Sequence, residues 1–424
     1  MKVSCNIKVN HLSRVEGHGN IRIRIKDGEV LEAGWDVVET PRFFEAMLVG
    51  KRWENAPWIC GRICGICSIG HTLASIRAVE NAFGMTPDRQ TERLRLLLKH
   101  METLQSHILH LYFLAAPDFL RLGSVLPLIA SHPEVVQRAT RLKLLANDAC
   151  DIIGGRRLHP TRTVVGGFTM LPEKSQLAQL KARLEAALPD LTKTAELFQT
   201  FTLPDFVRET EFVSLKGKDQ YPFIGGELVS SDGVVRAEDD YLQMTNEYTV
   251  DHSTSKWSRL SRQSLATGAL ARLNNNFALL YPGAREIAAG FSLQPVNHNP
   301  FMNNIAQLVE CVQVVMDSIA ITSELLAGSW QKPRQPVVPK AGRGVGAVEV
   351  PRGILYHAYE FDQAGRITRA DCIIPTSQNN ANIHYDLIEL ARQSAARQKP
   401  DAEIQRLAEM LVRAYDPCIS CSVH

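Results

Sequence analysis

Neither sign of charge predominates in this sequence: 47 Lys and Arg stand against 45 Asp and Glu, a net of +2 over 424 residues. A nucleic-acid binder driven by counterion release needs a strong basic excess, so that class is set aside. The same balance gives no reason to expect an anionic membrane surface as partner. Long apolar runs are missing as well. No window reaches about 18 uninterrupted apolar residues, which argues against a membrane-spanning helix. The first eight residues do not read as a signal peptide. Cysteine is scarce and odd in number, nine in all, which argues against a fully paired disulfide scaffold. What remains is a globular chain, 45% hydrophobic and 22% charged, long enough to bury a large core without staples.

The apolar pattern changes period along the chain. Residues 20–39 form two period-2 runs joined at Asp27-Gly28, a hairpin signal. Residues 91–121 switch to helical spacing, with Leu94, Leu97, Leu98, Met101, Leu104 and Ile108 on one stripe. A second apolar helix fits 133–154 and ends at Gly154-Gly155. Residues 174–201 read as a charged amphipathic pair broken near Pro189. Short strands and turns follow over 205–240, and a long, almost uncharged helix spans 300–328. The Pro- and Gly-rich run 332–346 reads as a flexible lead-in to a hairpin-like block at 347–375. Its Gly342-x-Gly344-x-Gly346 is not a nucleotide loop, since no strand precedes it and no βαβ unit follows. Helices at 383–396 and 401–415 close the chain. The expected class is mainly α with small β-sheets (α+β). One domain over 1–424 is expected: a hairpin and first cysteine motif (1–75), a helical core with a β insertion (76–330), and a β block with the second cysteine motif (331–424).

The cysteines are informative through their distribution. Cys150 and Cys311 stand alone, as small buried hydrophobes commonly do. Cys60, Cys64 and Cys67 fall within eight residues, and Cys418 and Cys421 lie at the far end. Arg62-Ile-Cys64-Gly-Ile-Cys67-Ser-Ile-Gly-His71 is a Cys-x-x-Cys followed by His, and Asp416-Pro-Cys418-Ile-Ser-Cys421-Ser-Val-His424 repeats the pattern. Two thiolates so close in sequence can reach one metal, and two pairs offer four sulfurs. A structural zinc site is one reading, although zinc ribbons separate their pairs by about 12–20 residues. A redox dithiol is another, though one motif would suffice for it. A four-sulfur site for a different metal is the third.

Both motifs resemble the signatures of the large subunit of nickel–iron hydrogenases. Further segments agree in order. His11-Leu-Ser-Arg-Val-Glu16-Gly-His18-Gly resembles that family's N-terminal Arg-Ile-Glu-Gly-His box, Arg42-Phe-Phe-Glu45 its Arg-Gly-x-Glu box, and Pro351-Arg352-Gly353 its Pro-Arg-Gly box. Ile374-Pro375-Thr376-Ser377-Gln378-Asn379-Asn380 stands where the family has a Val-Pro-Thr segment. The matches run from about residue 10 to 424.

The resemblance implies a helical core on which the N- and C-terminal metal-binding segments converge at a buried site. It implies reversible heterolytic cleavage of H2 at a Ni–Fe centre whose iron carries carbonyl and cyanide ligands. Cys64 and Cys418 would be terminal on nickel, with Cys67 and Cys421 bridging to iron. Glu16 would take the proton, and Arg352, oriented by Asp416, would lie over the open metal edge. Pro375 and Thr376 would wrap the diatomic ligands. Many relatives carry Asp-His where this chain has Ser106-His107, so the arginine is expected to be held more loosely. Glu45, His424 and the backbone carbonyl of Cys372 would ligate a second ion, Mg2+ or Fe2+. His71 and His18 would support the ligands, and Cys60 has no counterpart role. A nickel-dependent protease would generate the end at His424.

The five other cysteines show no iron–sulfur spacing, so electrons need an iron–sulfur small subunit, with further flavin/iron–sulfur diaphorase-type subunits beyond it. The Pro-Thr-Ser-Gln-Asn-Asn segment resembles cytoplasmic multi-subunit enzymes. Non-catalytic relatives, such as the quinone-site subunit of respiratory complex I, lack the cysteine pairs that are intact here.

Overall fold

The computed structural model describes residues 3–330 and 332–424. About half of the chain is helical, with small sheets near both ends, as the apolar periods predict. The first sheet is antiparallel, Cys5–Val9 beside Gly19–Lys26 beside Glu29–Val37. Ile21, Ile23 and Ile25 are buried on one face while Arg22 and Arg24 point away, the alternation that fixes register. Asp27 and Gly28 turn the hairpin with φ of 51° and 84°, the left-handed pair that a two-residue turn of this hand requires.

The helical core comprises Arg89–Leu109, Pro133–Gly154, Lys174–Gln199 and Asn303–Ala327. Asp88 caps the first, accepting the Thr91 N–H at 2.7 Å; past Leu109 that helix continues through a wider π-helical turn, His110–Ala115. Pro300–Ala327 is apolar enough to cross a membrane by length and composition, but 83% of its apolar window lies inside the protein. It is the one such stretch among the described residues.

Three sequence expectations are corrected. Residues 174–199 form one helix, with Pro189 inside it. Leu184 and Ala187 before the proline and Leu191 and Phe198 after it are all buried, and this packing outweighs the hydrogen bond that proline removes. The final long helix begins at Pro375, not 383. Residues 342–346 are not a lead-in but part of a strand, Gly342–Val350, paired antiparallel with Gly353–Phe361 and then Ile367–Ile373.

The glycines of that strand have a steric purpose. A Cβ on Gly344 would lie 2.2 Å from Ala78 O, and one on Gly346 2.1 Å from Ala74 O. Alternate glycines therefore let the strand rest directly on the backbone of the Ser68–Phe83 helix, whose alanines face it every fourth residue. This contact fixes the helix that begins just after Cys67. One continuous apolar core runs from Cys5 to Val423, with a smaller cluster between the C-terminal sheet and the 211–230 strands.

Candidate metal centre

The first cysteine pair sits at the start of the Ser68–Phe83 helix, with Cys67 as its N-cap. Cys64 Sγ accepts the backbone N–H groups of Cys67 at 3.0 Å and Ile66 at 3.2 Å. The second pair follows the Asp401–Ala414 helix. Two stitches bring the pairs together. The Glu16 carbonyl accepts Ile419 N–H at 2.9 Å. Arg42 donates from its guanidinium to the carbonyls of Ile63 and Ser420, one from each cysteine segment, and its N–H reaches Val423 O at 2.8 Å. Cys64 and Cys418 sulfurs are 3.7 Å apart, and the sulfurs of Cys64, Cys67 and Cys421 lie within 4.8 Å of one another. The sulfurs of Cys418 and Cys421 are in direct contact, and with those of Cys64 and Cys67 they complete a four-sulfur pocket. All four cysteines are buried.

The surroundings favour a thiolate at Cys64. Burial pushes the Cys64 thiol up, but the Cys67 thiol, the Arg352 charge and the two backbone N–H groups together bring it below the ordinary value. Its partner Cys67 is pushed up by the shared hydrogen bond and by burial. Arg352 occupies the tip of a two-residue turn between strands that pair Val350 with Gly353. Its Nη2 donates to Asp416 Oδ1 at 2.8 Å and its Nε to the Asp416 carbonyl. Asp416 has a left-handed φ of 49°, which turns the chain back after the helix and aims its carboxylate at the guanidinium. Gln307 also donates to Asp416, at 3.3 Å. Arg352 Nη1 is buried with no hydrogen-bond partner. With serine at 106, it is Asp416 that holds the arginine, through both carbonyl and carboxylate. Ser106 Oγ itself is buried and unpartnered.

Glu16 Oε2 is 3.2 Å from Cys418 Sγ and accepts Ser420 N–H at 3.1 Å, while Ser420 Oγ donates to Oε1. Thr376 Oγ1 accepts the Cys418 N–H at 3.0 Å, so its own proton remains available, and Pro375 starts the helix beside it. Glu45 accepts the Cys372 N–H at 2.8 Å, and His424 Nε2 lies 3.7 Å from the same oxygen. Burial raises the Glu45 carboxyl, but the His424 hydrogen bond and charge, with smaller help from Cys372 N–H and Lys256, pull it down to about 2. His18 is elsewhere: exposed and paired with Glu39 at 2.9 Å. His71 Nδ1 meets His357 at 3.1 Å, and its Nε2 is buried and unpartnered. Ser420, His357 and Arg272, whose guanidinium holds the Val350 and Pro351 carbonyls just before Arg352, carry no motif of their own, and sequence reasoning missed them; only Ser420, inside the second Cys-x-x-Cys, lay within reach of it.

A family model described as nickel-dependent hydrogenase matches residues 42–134 and 295–424, more than half of the chain, and a HoxL-like model matches residues 6–40. The chain belongs to the nickel-dependent hydrogenase family. It is 38% identical over 420 residues to the alpha chain of sulfhydrogenase 1 from Pyrococcus furiosus, covering 99% of this chain and 97% of that one. It is 31% identical to a subunit of the F420-non-reducing hydrogenase from Methanothermobacter marburgensis, over 97% and 93% of the two chains. The crystal structure of an NAD+-reducing NiFe hydrogenase matches over the whole of both chains with a TM-score of 0.88 at 27% identity. The chain is the catalytic component of a hydrogenase, an oxidoreductase acting on H2. Its family implies a nickel–iron centre with cysteine ligands, and the residues present fit it. Four sulfurs share one buried pocket, the soft donor set such metals select, and an unpartnered guanidinium N–H is buried beside them.

Proposed function

We propose that this protein cleaves H2 heterolytically and reversibly, with Cys64, Cys67, Cys418 and Cys421 holding the Ni–Fe pair and Glu16 taking the proton. In this reading all four sulfurs would hold the metal pair, two from each Cys-x-x-Cys segment. The observation that carries it is the 3.2 Å approach of Glu16 Oε2 to Cys418 Sγ. When bound, the metal pair, with carbonyl and cyanide on its iron, supplies the soft Lewis-acid and redox chemistry that H2 cleavage needs. Glu16 receives the proton at Oε2, and Ser420 fixes the carboxylate by donating to both of its oxygens. Arg352 stays charged at any working pH and offers Nη1 to negative charge developing in the pocket, held in place by Asp416. Thr376 directs its free hydroxyl proton towards the ligand cage, beside Pro375, and the close apolar packing excludes water. Glu45, His424 and the Cys372 carbonyl would hold a Mg2+ or Fe2+ ion, which would tie the last residues to the Phe44–Leu48 helix.

The absence of iron–sulfur spacing among the other cysteines supports an iron–sulfur small subunit to accept the electrons. An NAD+-reducing enzyme among the similar structures supports diaphorase-type subunits beyond it, in the cytoplasm. Glu16→Gln tests the reading. It should retain nickel, iron and the carbonyl–cyanide infrared bands while H2 oxidation and H+/D2 exchange both fall by about 100-fold. Near-normal exchange would exclude Glu16 as the first proton acceptor.

A further inference from the structure

A second cluster of soft donors lies outside the four-cysteine pocket, and the proposed cleavage does not use it. Cys60 ends a short helix, Ala56–Cys60. His357 and Cys372 face each other as a cross-strand pair in the C-terminal sheet, and Tyr359 follows His357 two residues on, on the same face. A ring nitrogen of His357 and the sulfurs of Cys60 and Cys372 all lie within 4.8 Å of one another. His357 Nδ1 is 3.4 Å from Cys372 Sγ and 2.8 Å from the Tyr359 hydroxyl, which is 3.1 Å from Cys60 Sγ. Cys60, His357 and Cys372 are each 0% exposed.

The geometry points to a third metal site, Cys60–His357–Cys372, built for a borderline-soft closed-shell ion, Zn2+. Two thiolates and a dication cancel, so the filled site brings no net charge into an interior that water does not reach. Two sulfurs and one imidazole are a donor set zinc takes readily, with a fourth position to fill. Tyr359 donates its proton to Ser75 Oγ at 2.9 Å, which leaves its oxygen lone pairs free for that position. The imidazole is already oriented, since its Nε2 shares a hydrogen bond with His71 Nδ1 at 3.1 Å; such an outer contact fixes the tautomer of a ligating histidine. The Cys372 amide faces Glu45 at 2.8 Å while its thiol faces His357, so the residue serves two neighbouring sites with different atoms. The ion would fasten Cys60 to the sheet. Cys60 stands four residues before Cys64, so the approach to the catalytic thiolate would be anchored from behind.

Metal analysis of the intact purified complex, prepared without added zinc, tests this. One zinc per chain beyond the nickel is expected, with zinc-edge X-ray absorption fitted by two sulfurs at about 2.3 Å and one nitrogen at about 2.0 Å. Cys60→Ala and His357→Asn should each lower zinc at least tenfold while nickel remains. A wild type without zinc, a shell of nitrogen and oxygen alone, or zinc unchanged in both variants overturns the site. Should neither variant accumulate, the wild-type metal content and absorption spectrum decide alone.

Discussion

Arg272 tests how the Pro351-Arg352 turn is kept in place. The side chain is fully buried. Nε and Nη2 donate to Glu310 at 2.6 and 2.7 Å, and Nη1 to Glu349 at 2.9 Å. The same two terminal nitrogens also donate to Val350 O at 2.9 Å and Pro351 O at 3.1 Å. Burial alone would raise both acids. The guanidinium pulls Glu310 down to about 2 despite it, whereas Glu349 stays raised. Arg272→Met keeps much of the aliphatic length and removes every donor. His107 and Tyr221, each 2.8 Å from Glu310, touch only that acid and leave Glu349 without its cation. Removing one member of a buried ion pair costs about 3–5 kcal/mol. Unfolding entropy of about 2.1 cal/mol/K per residue gives roughly 0.9 kcal/mol/K for a chain of this length, so Tm should fall by about 3–6 °C in scanning calorimetry. The two released carbonyls immediately precede Arg352, so kcat should drop about tenfold with KM little changed. Arg272→Lys restores the charge but has three donors for five contacts, and should recover part of the Tm. A shift under about 1 °C with normal kcat would show that the two acids sit there neutral and that the turn holds itself.

Cys418→Ser should abolish H2 turnover and cut bound nickel at least tenfold by elemental analysis; full nickel would remove Cys418 from the ligand set. Gly344→Val places carbon where Ala78 O and Ala82 N stand 2.2 and 2.3 Å away, so the strand must lift off the helix; Tm should fall by several degrees, and an unchanged melt would refute the close contact. His100 is buried against Phe223 and 3.5 Å from Asp317, with Lys99 and Arg93 near. Burial, chiefly, lowers its pKa from 6.5 to about 4. Between those values the unfolded chain binds more protons, so this stability is complete above pH 6.5 and about 3 kcal/mol is lost as pH falls towards 4. His100→Gln should flatten that part of the Tm–pH curve, and an identical slope would refute it.

Much of the scaffold was legible because local rules and global packing agree. The Asp27-Gly28 turn, the helix from 133 to 154 and the long apolar helix after Pro300 follow from spacing and end signals alone. The motif cysteines were legible for a related reason: four soft donors in two tight pairs are improbable except as ligands. Failures came where a distant partner overrode a local preference. Gly342, Gly344 and Gly346 read as loop because glycine packs poorly in a strand, and their reason lies in three alanines of a helix about 270 residues earlier. Pro189 read as a break because its helix is held by tertiary burial. Cys60, His357 and Cys372 could not be grouped without knowing the strand register that sets His357 opposite Cys372.

The convergence of the two cysteine pairs has the same origin. Bringing Cys64 to Cys418 closes a loop of about 350 residues, whose chain-entropy cost is roughly 5 kcal/mol. In a zinc finger the metal itself must offset such a cost, and the apo form is unfolded. Here the closure is made by parts that hold no metal: the Ser68–Phe83 helix pressed on the glycine strand, the Glu16 carbonyl on Ile419, and Arg42 spanning Ile63 and Ser420. Binding energy at the four sulfurs is therefore available to set metal geometry instead of folding the chain. Glu16 belongs to both tasks, since its backbone stitches the C-terminal segment while its side chain faces the Cys418 sulfur. Glu16→Gln leaves that backbone stitch intact, which is why it can separate proton transfer from metal retention, as a deletion of the N-terminal segment could not.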